Sequence, residues 1–298
     1  IHNLQSRGIN ALLLNISWKD LILDEEGNVC EETASHYENL FKQIKEDNFK
    51  LTIILLSSDL PEYVREKGGL INRDFIYQFE KYANVCYERF GQYVDNWITI
   101  RDPALFVYLN PRFKKIDKFK TRINLAITEI HHLLTAHGLA VMSFRDKGYE
   151  GKIGIMLSVI NFIPSFFKFK DIMLNIFAKT LYNKWFTRSI SQGTYPFFTS
   201  LILHFCGVKT FFRKSDMGII SAAPNFIFLN YYGKASIKNI NGLFNVDNIQ
   251  INSNTKEEDY ISALTSMYKS IRIPIYINDI STNDTEKTMD KCQQIHIE

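Results

Sequence analysis

The strongest constraint on the fold is a regular alternation of two kinds of segment along the 298 residues. Short apolar runs alternate with longer segments whose apolar residues recur every three or four positions. The first pattern is typical of strands in a parallel sheet covered on both faces, and the second of amphipathic helices. Strands are predicted at 10–18, 50–58, 96–100, 151–160, 225–232 and 273–279, with helices at 32–48, 72–91, 122–148, 168–191 and 258–272.

Regular β–α alternation over this length favours a (β/α) barrel over a doubly wound sheet. No Gly-x-Gly-x-x-Gly turn follows a strand and no P-loop pattern occurs, which argues against a nucleotide-binding fold. No internal repeat or low-complexity linker interrupts the alternation. The sequence therefore predicts an α/β protein with one domain, residues 1–298.

Composition excludes several classes of function. A formal net charge of +3 without a basic stripe argues against nucleic-acid binding. The four cysteines have no Cys-x-x-Cys spacing, which argues against a zinc site and thioredoxin-type chemistry. No metal or cofactor is expected. The most apolar run is broken by Asn161 and Pro164, and no transmembrane segment or signal peptide is expected. The compartment stays open: a soluble protein, cytosolic or secreted and lumenal, fits equally well.

Functional residues in such barrels lie at the carboxyl ends of the strands. Two aspartates, Asp102 and Asp279, end two different strands, and paired carboxylates across a pocket are the groups that hydrolyse glycosides. The structural alternative is that Asp102 pairs with Arg101 or caps a helix, and that Asp279 opens a polar turn. The candidates at all strand ends are Asn15, Trp18, Ser57, Ser58, Asp59, Arg101, Asp102, Asn161, Asn230, Tyr231, Tyr232, Asn278 and Asp279.

Two other features have structural interpretations. His131, His132 and His137 lie on one predicted helix, but their spacing does not place a pair on one face, so they are assigned to the helix packing. The segment 166–186, FFKFKDIMLNIFAKTLYNKWF, has the composition of a basic membrane-surface helix. We interpret it as an outer helix of the barrel.

Several blocks, taken in order, resemble family 1 glycoside hydrolases, the group of β-glucosidases, lactases and klothos. The longest block runs from SDLPEYVREKGGL to NWITIRDP, residues 58–103. The others are NISW, HHLLTAHGLAV, GKIGIML, GTYP, FIFLNYY and IPIYIND. The resemblance covers nearly the whole chain. It implies an incomplete (β/α)8 TIM-type barrel in which the strands corresponding to the second to seventh are present.

The same resemblance assigns roles to individual residues. Asp102 stands at the family's acid/base position and Asp279 at its nucleophile position, where the family has glutamates. Tyr232 matches the tyrosine that donates a hydrogen bond to the nucleophile. The implied substrate-binding residues are Ser57, Arg101 and Asn230.

Several of these positions depart from the family pattern. Ser57 and Ser58 replace a histidine and a tryptophan, Arg101 replaces an asparagine, and Leu13 replaces the arginine that supports the nucleophile. The retaining mechanism needs carboxyl groups about 5–5.5 Å apart. Each Glu-to-Asp change withdraws a carboxylate by roughly 1.5 Å, so two changes widen the gap to roughly 8 Å, within the range of inverting enzymes.

These departures lead to three hypotheses, of which the last is a fragment or degenerate product with no function of its own. The first is a pseudoenzyme with lost or strongly reduced β-glycosidase activity, which binds a carbohydrate or a protein partner as klotho-type relatives do. The alternative is an active hydrolase of O-glycosyl bonds that uses Asp102 and Asp279. Arg101 beside Asp102 favours an ionised carboxylate, which is the wrong form for a general acid, and we expect the first.

Overall fold

Six strands form one sheet in the order β1-β2-β3-β4-β5-β6. The computed structural model describes residues 9–57, 59–164, 168–205, 207–208, 212–244 and 273–279, together with 261, 265 and 271. The strands are β1 (Ala11–Asn15), β2 (Lys50–Leu56), β3 (Asn96–Arg101), β4 (Lys152–Phe162), β5 (Phe226–Ala235) and β6 (Ile275–Asp279). The pairs β1–β2, β2–β3 and β5–β6 are parallel. This order confirms the predicted fold class, an incomplete (β/α)8 barrel type.

Helices connect each strand from β1 to β4 with the next one, as predicted for β–α alternation. Those within the described residues are α1 (Trp18–Leu21), α2 (Glu31–Glu46), α3 (Glu62–Glu66), α4 (Asp74–Phe90), α5 (Pro103–Tyr108), α6 (Phe119–Asp146), α7 (Phe169–Lys179), α8 (Trp185–Gln192), α9 (Phe197–Phe205) and α10 (Lys214–Ile220). Most of the predicted helix 258–272 lies outside the described residues. None of the described helices is both long enough and apolar enough to cross a bilayer.

The chain divides into two compact units. The first comprises Ile1–Arg101, His131–Ile155 and Ala222–Phe226, and the second comprises Asp102–Ile130, Met156–Ser221 and Ile227–Glu298. The candidates Asp102, Asn230, Tyr232 and Asp279 therefore belong to the second unit, and Ser57 and Arg101 to the first. That residues 1–298 form one domain stays a prediction.

The core of the first unit confirms the strand and helix patterns. In β2 every residue after Lys50 is buried, which agrees with a strand covered on both faces. The predicted apolar stripe of α4 is buried throughout: Phe75, Phe79, Tyr82, Cys86 and Phe90. Trp18 is also buried, and its ring stacks on Tyr82 with centroids 4.9 Å apart. Its position in this aromatic core removes Trp18 from the candidate functional residues.

In the second unit, the helix predicted over 168–191 is interrupted by one π-helical segment, Thr180–Lys184, between α7 and α8. Two successive side chains of this segment bond to buried backbone groups. The Tyr182 hydroxyl donates to the carbonyl of Leu243 at 2.7 Å, and the Asn183 amide donates to the carbonyl of Ile160 at 2.8 Å. These bonds tie the π-helical segment to β4 and to the turn that follows β5.

The close contact between β4 and β5 at Gly154 gives a stability prediction. A Cβ atom at Gly154 would lie 2.5 Å from both the ring and the carbonyl oxygen of Phe226. Gly154→Ala should therefore lower the free energy of unfolding by about 1–3 kcal/mol, because the neighbouring strand must move. Urea unfolding should show a lower midpoint at an unchanged m-value.

The matched control for this change is Gly218→Ala in α10. A Cβ atom at Gly218 meets no atom within 4 Å, so alanine should stabilise the helix by about 0.5–1 kcal/mol. If both alanine variants had the parent's midpoint, the close approach at Gly154 would not be a constraint on the fold.

Candidate functional site

The junction between β3 and α5 places the Asp102 side chain. Asp102 follows the last strand residue, and its backbone is left-handed, with φ 47° and ψ 53°. Aspartate tolerates this region better than most residues, because its short polar side chain bonds locally. Pro103 then starts the helix with the φ angle that a first turn requires. The Asp102 side chain makes no capping hydrogen bond to α5, so the capping alternative is wrong.

The Asp102 carboxylate is instead the centre of a buried hydrogen-bond network. The Ser158 hydroxyl donates to Oδ1 at 2.7 Å. The Asn230 side-chain amide donates to Oδ2 at 2.9 Å, and the Tyr232 hydroxyl donates to the same oxygen at 3.0 Å. Asp102 is 6% exposed and Asn230 is 5% exposed. The carboxylate is therefore bound from two strands and is held almost entirely away from water.

Strand geometry explains why these donors converge. Asn230 and Tyr232 are two residues apart on β5, and side chains two apart point to the same face of a strand. Ser158 lies in the buried part of β4. The Asp102 backbone N–H donates to the carbonyl of Met156 at 2.9 Å, which fixes the junction against β4. The register of the strands, rather than any loop, positions the network.

The backbone of Asp279 lies beside this network. Asp279 is the last residue of β6, and its Cα is paired with that of Asn230 across the parallel β5–β6 ladder. The register shifts here: β5 advances by one residue, from Leu229 to Asn230, while β6 advances by two, from Ile277 to Asp279. The side chain of Asp279 is outside the described part of the chain. Its predicted role as the second carboxylate stays a prediction.

The other predicted site residues lie at strand ends as expected. Ser57 directly follows β2 and is half-buried, and Arg101 is the last residue of β3. Ser58 is outside the described residues. The resemblance predicts that Tyr232 donates a hydrogen bond to the residue at the nucleophile position, Asp279. In the structure the Tyr232 hydroxyl donates to Asp102. Roles in substrate binding for Ser57, Arg101 and Asn230 stay predictions.

Sequence reasoning missed Ser158, whose 2.7 Å bond to Asp102 is shorter than those from Asn230 and Tyr232. Asn161, three residues later, was chosen because it stands nearer the end of the strand. The available signal was a single hydroxyl inside the otherwise apolar run GIMLSVI. A buried polar side chain in such a run needs a partner, which is a reason to include it in a site.

This arrangement holds the carboxyl group of Asp102 firmly. The Asn230 amide can only donate to it, whereas the Ser158 and Tyr232 hydroxyls can each donate or accept. A general acid must carry a proton and present it to the leaving group. With 6% of its surface exposed, Asp102 shows little of its side chain to solvent.

The three histidines of α6 are buried, in agreement with their structural assignment. The His137 ring accepts or donates a hydrogen bond with the Thr99 hydroxyl at 2.7 Å. Burial lowers the pKa of His137 to about 3, so this ring is neutral at physiological pH. The His132 ring binds the carbonyl of Leu70 at 2.7 Å. Both rings therefore support the packing of α6 against the first unit's own segments.

A second buried carboxyl group, Glu129 on α6, was not identified from the sequence. Its side chain has no exposed surface and pairs with the half-exposed guanidinium of Arg112. Burial raises the pKa of Glu129 to about 7, although Arg112 opposes the shift. A carboxyl group that prefers the neutral form in the folded protein makes stability depend on pH.

We expect stability to fall as pH rises toward 7 because of Glu129. Below the ordinary pKa of 4.5 the group is protonated in both states; above it the unfolded chain ionises first. Between pH 4.5 and pH 7 the free energy of unfolding should fall by up to about 3 kcal/mol. Glu129→Gln should flatten this dependence and raise the melting temperature at pH 8, measured by calorimetry from pH 4 to 8.

Glu88→Gln is the matched control, because Glu88 is exposed and its pKa is lowered, first by its hydrogen bond to Lys147. Glu88→Gln should leave the fall in stability between pH 4.5 and 7 as it is in the parent protein. A Glu129→Gln protein with the parent's pH profile would contradict the assignment of that slope to Glu129.

A cavity of about 80 Å³ lies in the first unit beside α3 and α4. Polar residues at its wall include Glu25, Tyr63, Lys67 and Asn72. Ligand pockets are usually about 300–1,000 Å³, so this cavity is too small for a sugar ring and its substituents.

Comparison with known proteins relates this architecture to a family. The profile of Glycosyl hydrolase family 1 matches residues 1–291. Beta-glucosidase A from Thermotoga maritima is 29% identical over 242 residues, which cover 80% of this chain and 53% of the relative. The cyanidin 3-O-glucoside 5-O-glucosyltransferase (acyl-glucose) of Dianthus caryophyllus is 29% identical over 238 residues, with coverage of 78% and 45%. These matches confirm the resemblance found in the sequence.

A solved structure agrees with the sequence relatives. The β-glucosidase from Thermotoga maritima in complex with glucoimidazole superposes with a TM-score of 0.78 at 26% identity. The superposition covers 93% of this chain and 64% of that one. The chain spans about half the length of the curated relatives it matches.

Proposed function

The chain belongs to glycosyl hydrolase family 1, and we propose that it is a member with lost or strongly reduced β-glycosidase activity. In this proposal it acts by binding a carbohydrate or a protein partner. Its relatives include a β-glucosidase and a glucosyltransferase that uses acyl-glucose, so a glucose-like group is the first ligand to test.

The observation that supports this proposal most is the environment of Asp102, at the family's acid/base position. Three donors bind its two oxygens, and 6% of its surface is exposed. A carboxylate engaged in this way is poorly suited to protonate a leaving group. Its side chain is also one methylene shorter than glutamate, and a displacement of about 1 Å can reduce a rate by on the order of 100-fold.

The substitutions at other family positions support the same conclusion. Leu13 cannot support a nucleophile electrostatically as an arginine does, and Ser57 is a shorter donor than histidine. Removing one donor that stabilises a transition state costs about 100- to 1,000-fold in rate. The losses act in the same direction, and together they exceed what correct placement of one carboxylate would restore.

Activity and binding assays on the 298-residue chain test the proposal. An aryl β-glucoside should give no turnover above buffer, and a 2-fluoro-glucoside should leave no covalent adduct by mass spectrometry. Calorimetric titration with glucoimidazole should detect saturable binding that Arg101→Ala weakens and that Arg65→Ala, an exposed control in α3, does not. Turnover or a trapped adduct would contradict the proposed loss of activity. If glucoimidazole did not bind, the proposal that the chain binds a carbohydrate would be wrong.

The alternative function is an active β-glycosidase that uses Asp102 and Asp279. It is favoured by one observation: Asp279 is paired in register with Asn230, whose side chain binds Asp102. Shortened carboxylates fit the wider spacing of inverting enzymes, roughly 6.5–9.5 Å. Product analysis by NMR distinguishes this alternative, because an inverting enzyme releases the α-anomer first.

A further inference from the structure

Helix α9 exposes an apolar face that the proposed function does not use. Phe197, Phe198 and Phe205 are 66%, 78% and 80% exposed, and Leu201 and Ile202 are exposed beside them. At about 100° per residue, these five positions span an arc of about 140° on one side of the helix. The opposite side is used for packing, since Thr199 and Leu203 are buried. Monomeric proteins rarely leave an apolar surface of this kind uncovered.

A basic segment lies next to this face. Residues 112–122 carry six Lys or Arg residues and one acidic residue. The ammonium group of Lys120 lies 2.6 Å from the position that a Cβ atom on Gly207 would occupy, two residues after the end of α9. Lys115 and Lys118 in the same segment are exposed. The second compact unit thus brings a cluster of positive charge to the end of the apolar helix face.

From this juxtaposition we propose that the apolar face of α9, with the basic segment 112–122, docks on an anionic lipid bilayer. Phenylalanine side chains that project from a short helix can enter the boundary between headgroups and acyl chains, while lysines bind anionic headgroups. α9 has nine residues, which is too short to span a bilayer. It is therefore suited to lie in the plane of the membrane surface.

The positive charge of the surrounding chain favours an anionic bilayer as the occupant. Between residues 168 and 214, the chain that contains α9 carries eight Lys or Arg residues and one acidic residue. α7 also exposes apolar side chains, Phe169, Met173 and Ile176, with Lys168 and Lys170 on either side of the phenylalanine. The docking site is assigned to α9 because the Lys120 contact places a basic segment beside that helix.

Vesicle co-sedimentation of the 298-residue chain tests the inference independently of any glycosidase assay. Vesicles with phosphatidylserine should bind at least about tenfold more protein than pure phosphatidylcholine vesicles at 0.1 M salt, and binding should weaken at 0.5 M. The triple change Phe197→Ser, Phe198→Ser, Phe205→Ser should reduce binding at least about tenfold. The double change Lys115→Glu, Lys118→Glu should also reduce binding at least about tenfold, but only to anionic vesicles.

The matched control is Leu23→Ser with Tyr77→Ser, since both residues are exposed apolar positions in the first unit, 60% and 52% exposed. These changes should leave vesicle binding unchanged. A second readout does not depend on how the triple variant folds. Phe205→Trp should show a blue-shifted emission, quenched by brominated lipid, when anionic vesicles are added.

Three outcomes would overturn the inference. The first is equal binding to neutral and anionic vesicles, and the second is a triple variant that binds like the parent. The third is a parent protein that does not bind vesicles and elutes as a dimer, if the triple change converts that dimer to a monomer. That last result would instead assign the α9 face to an interface between two copies of the chain.

Discussion

Replacing Asp102 with leucine is expected to lower the free energy of unfolding by about 3–4 kcal/mol, whereas asparagine should cost less than about 1 kcal/mol. Leucine leaves three donors without their acceptor, from Ser158, Asn230 and Tyr232. It must also adopt the left-handed backbone at this position, which costs most side chains about 1–2 kcal/mol. Removal of a buried charge offsets part of this loss.

Asparagine is the informative control because it can satisfy the same network. Its carbonyl oxygen can accept from Asn230 and Tyr232, and its amide can donate to the Ser158 hydroxyl, which rotates to accept. Asparagine also tolerates the left-handed region. Urea unfolding of the parent and both variants measures the difference. Equal stability of the leucine variant would show that the Asp102 network does not hold β4 and β5 to the β3–α5 junction.

Restoring the family's carboxylates alone is expected to leave hydrolysis undetectable. Asp102→Glu adds a methylene to a side chain that is 6% exposed and already bound to three donors. Overpacking of this kind costs about 1–3 kcal/mol and displaces neighbouring groups. The combined variant Asp102→Glu, Asp279→Glu should therefore give no measurable turnover of an aryl β-glucoside.

Further changes toward the family pattern should raise activity above that variant. Adding Arg101→Asn, Leu13→Arg and Ser57→His should increase turnover by at least about 100-fold, because each restores a donor that stabilises the transition state. The measurement is kcat/KM on an aryl β-glucoside, with the anomer of the product followed by NMR. Retaining turnover by the two-carboxylate variant alone would show that these supporting residues matter less than we infer.

The strand order could be predicted from the sequence because each strand is a continuous apolar run and each connecting helix has a 3.6-residue period. Those patterns depend on which side chains leave water, a property that short segments already encode. The strand-end rule also selected Asp102, Asn230 and Tyr232, which the structure brings together in one hydrogen-bond network. The boundaries of β3 and α4 differ from the predicted ones by one or two residues.

The details that decide the chemistry came from tertiary packing. Which donors reach Asp102 depends on strand register. The register places Ser158 beside Asp102, and the spacing of these two residues along the chain does not predict that contact. Local sequence gives no sign that Glu129 loses all contact with water or pairs with Arg112. The apolar residues of α9 are of a kind that a sequence assigns to a core, yet the fold leaves Phe197, Phe198 and Phe205 exposed. Hydrophobicity determines which residues can be buried, and long-range packing decides which of them are.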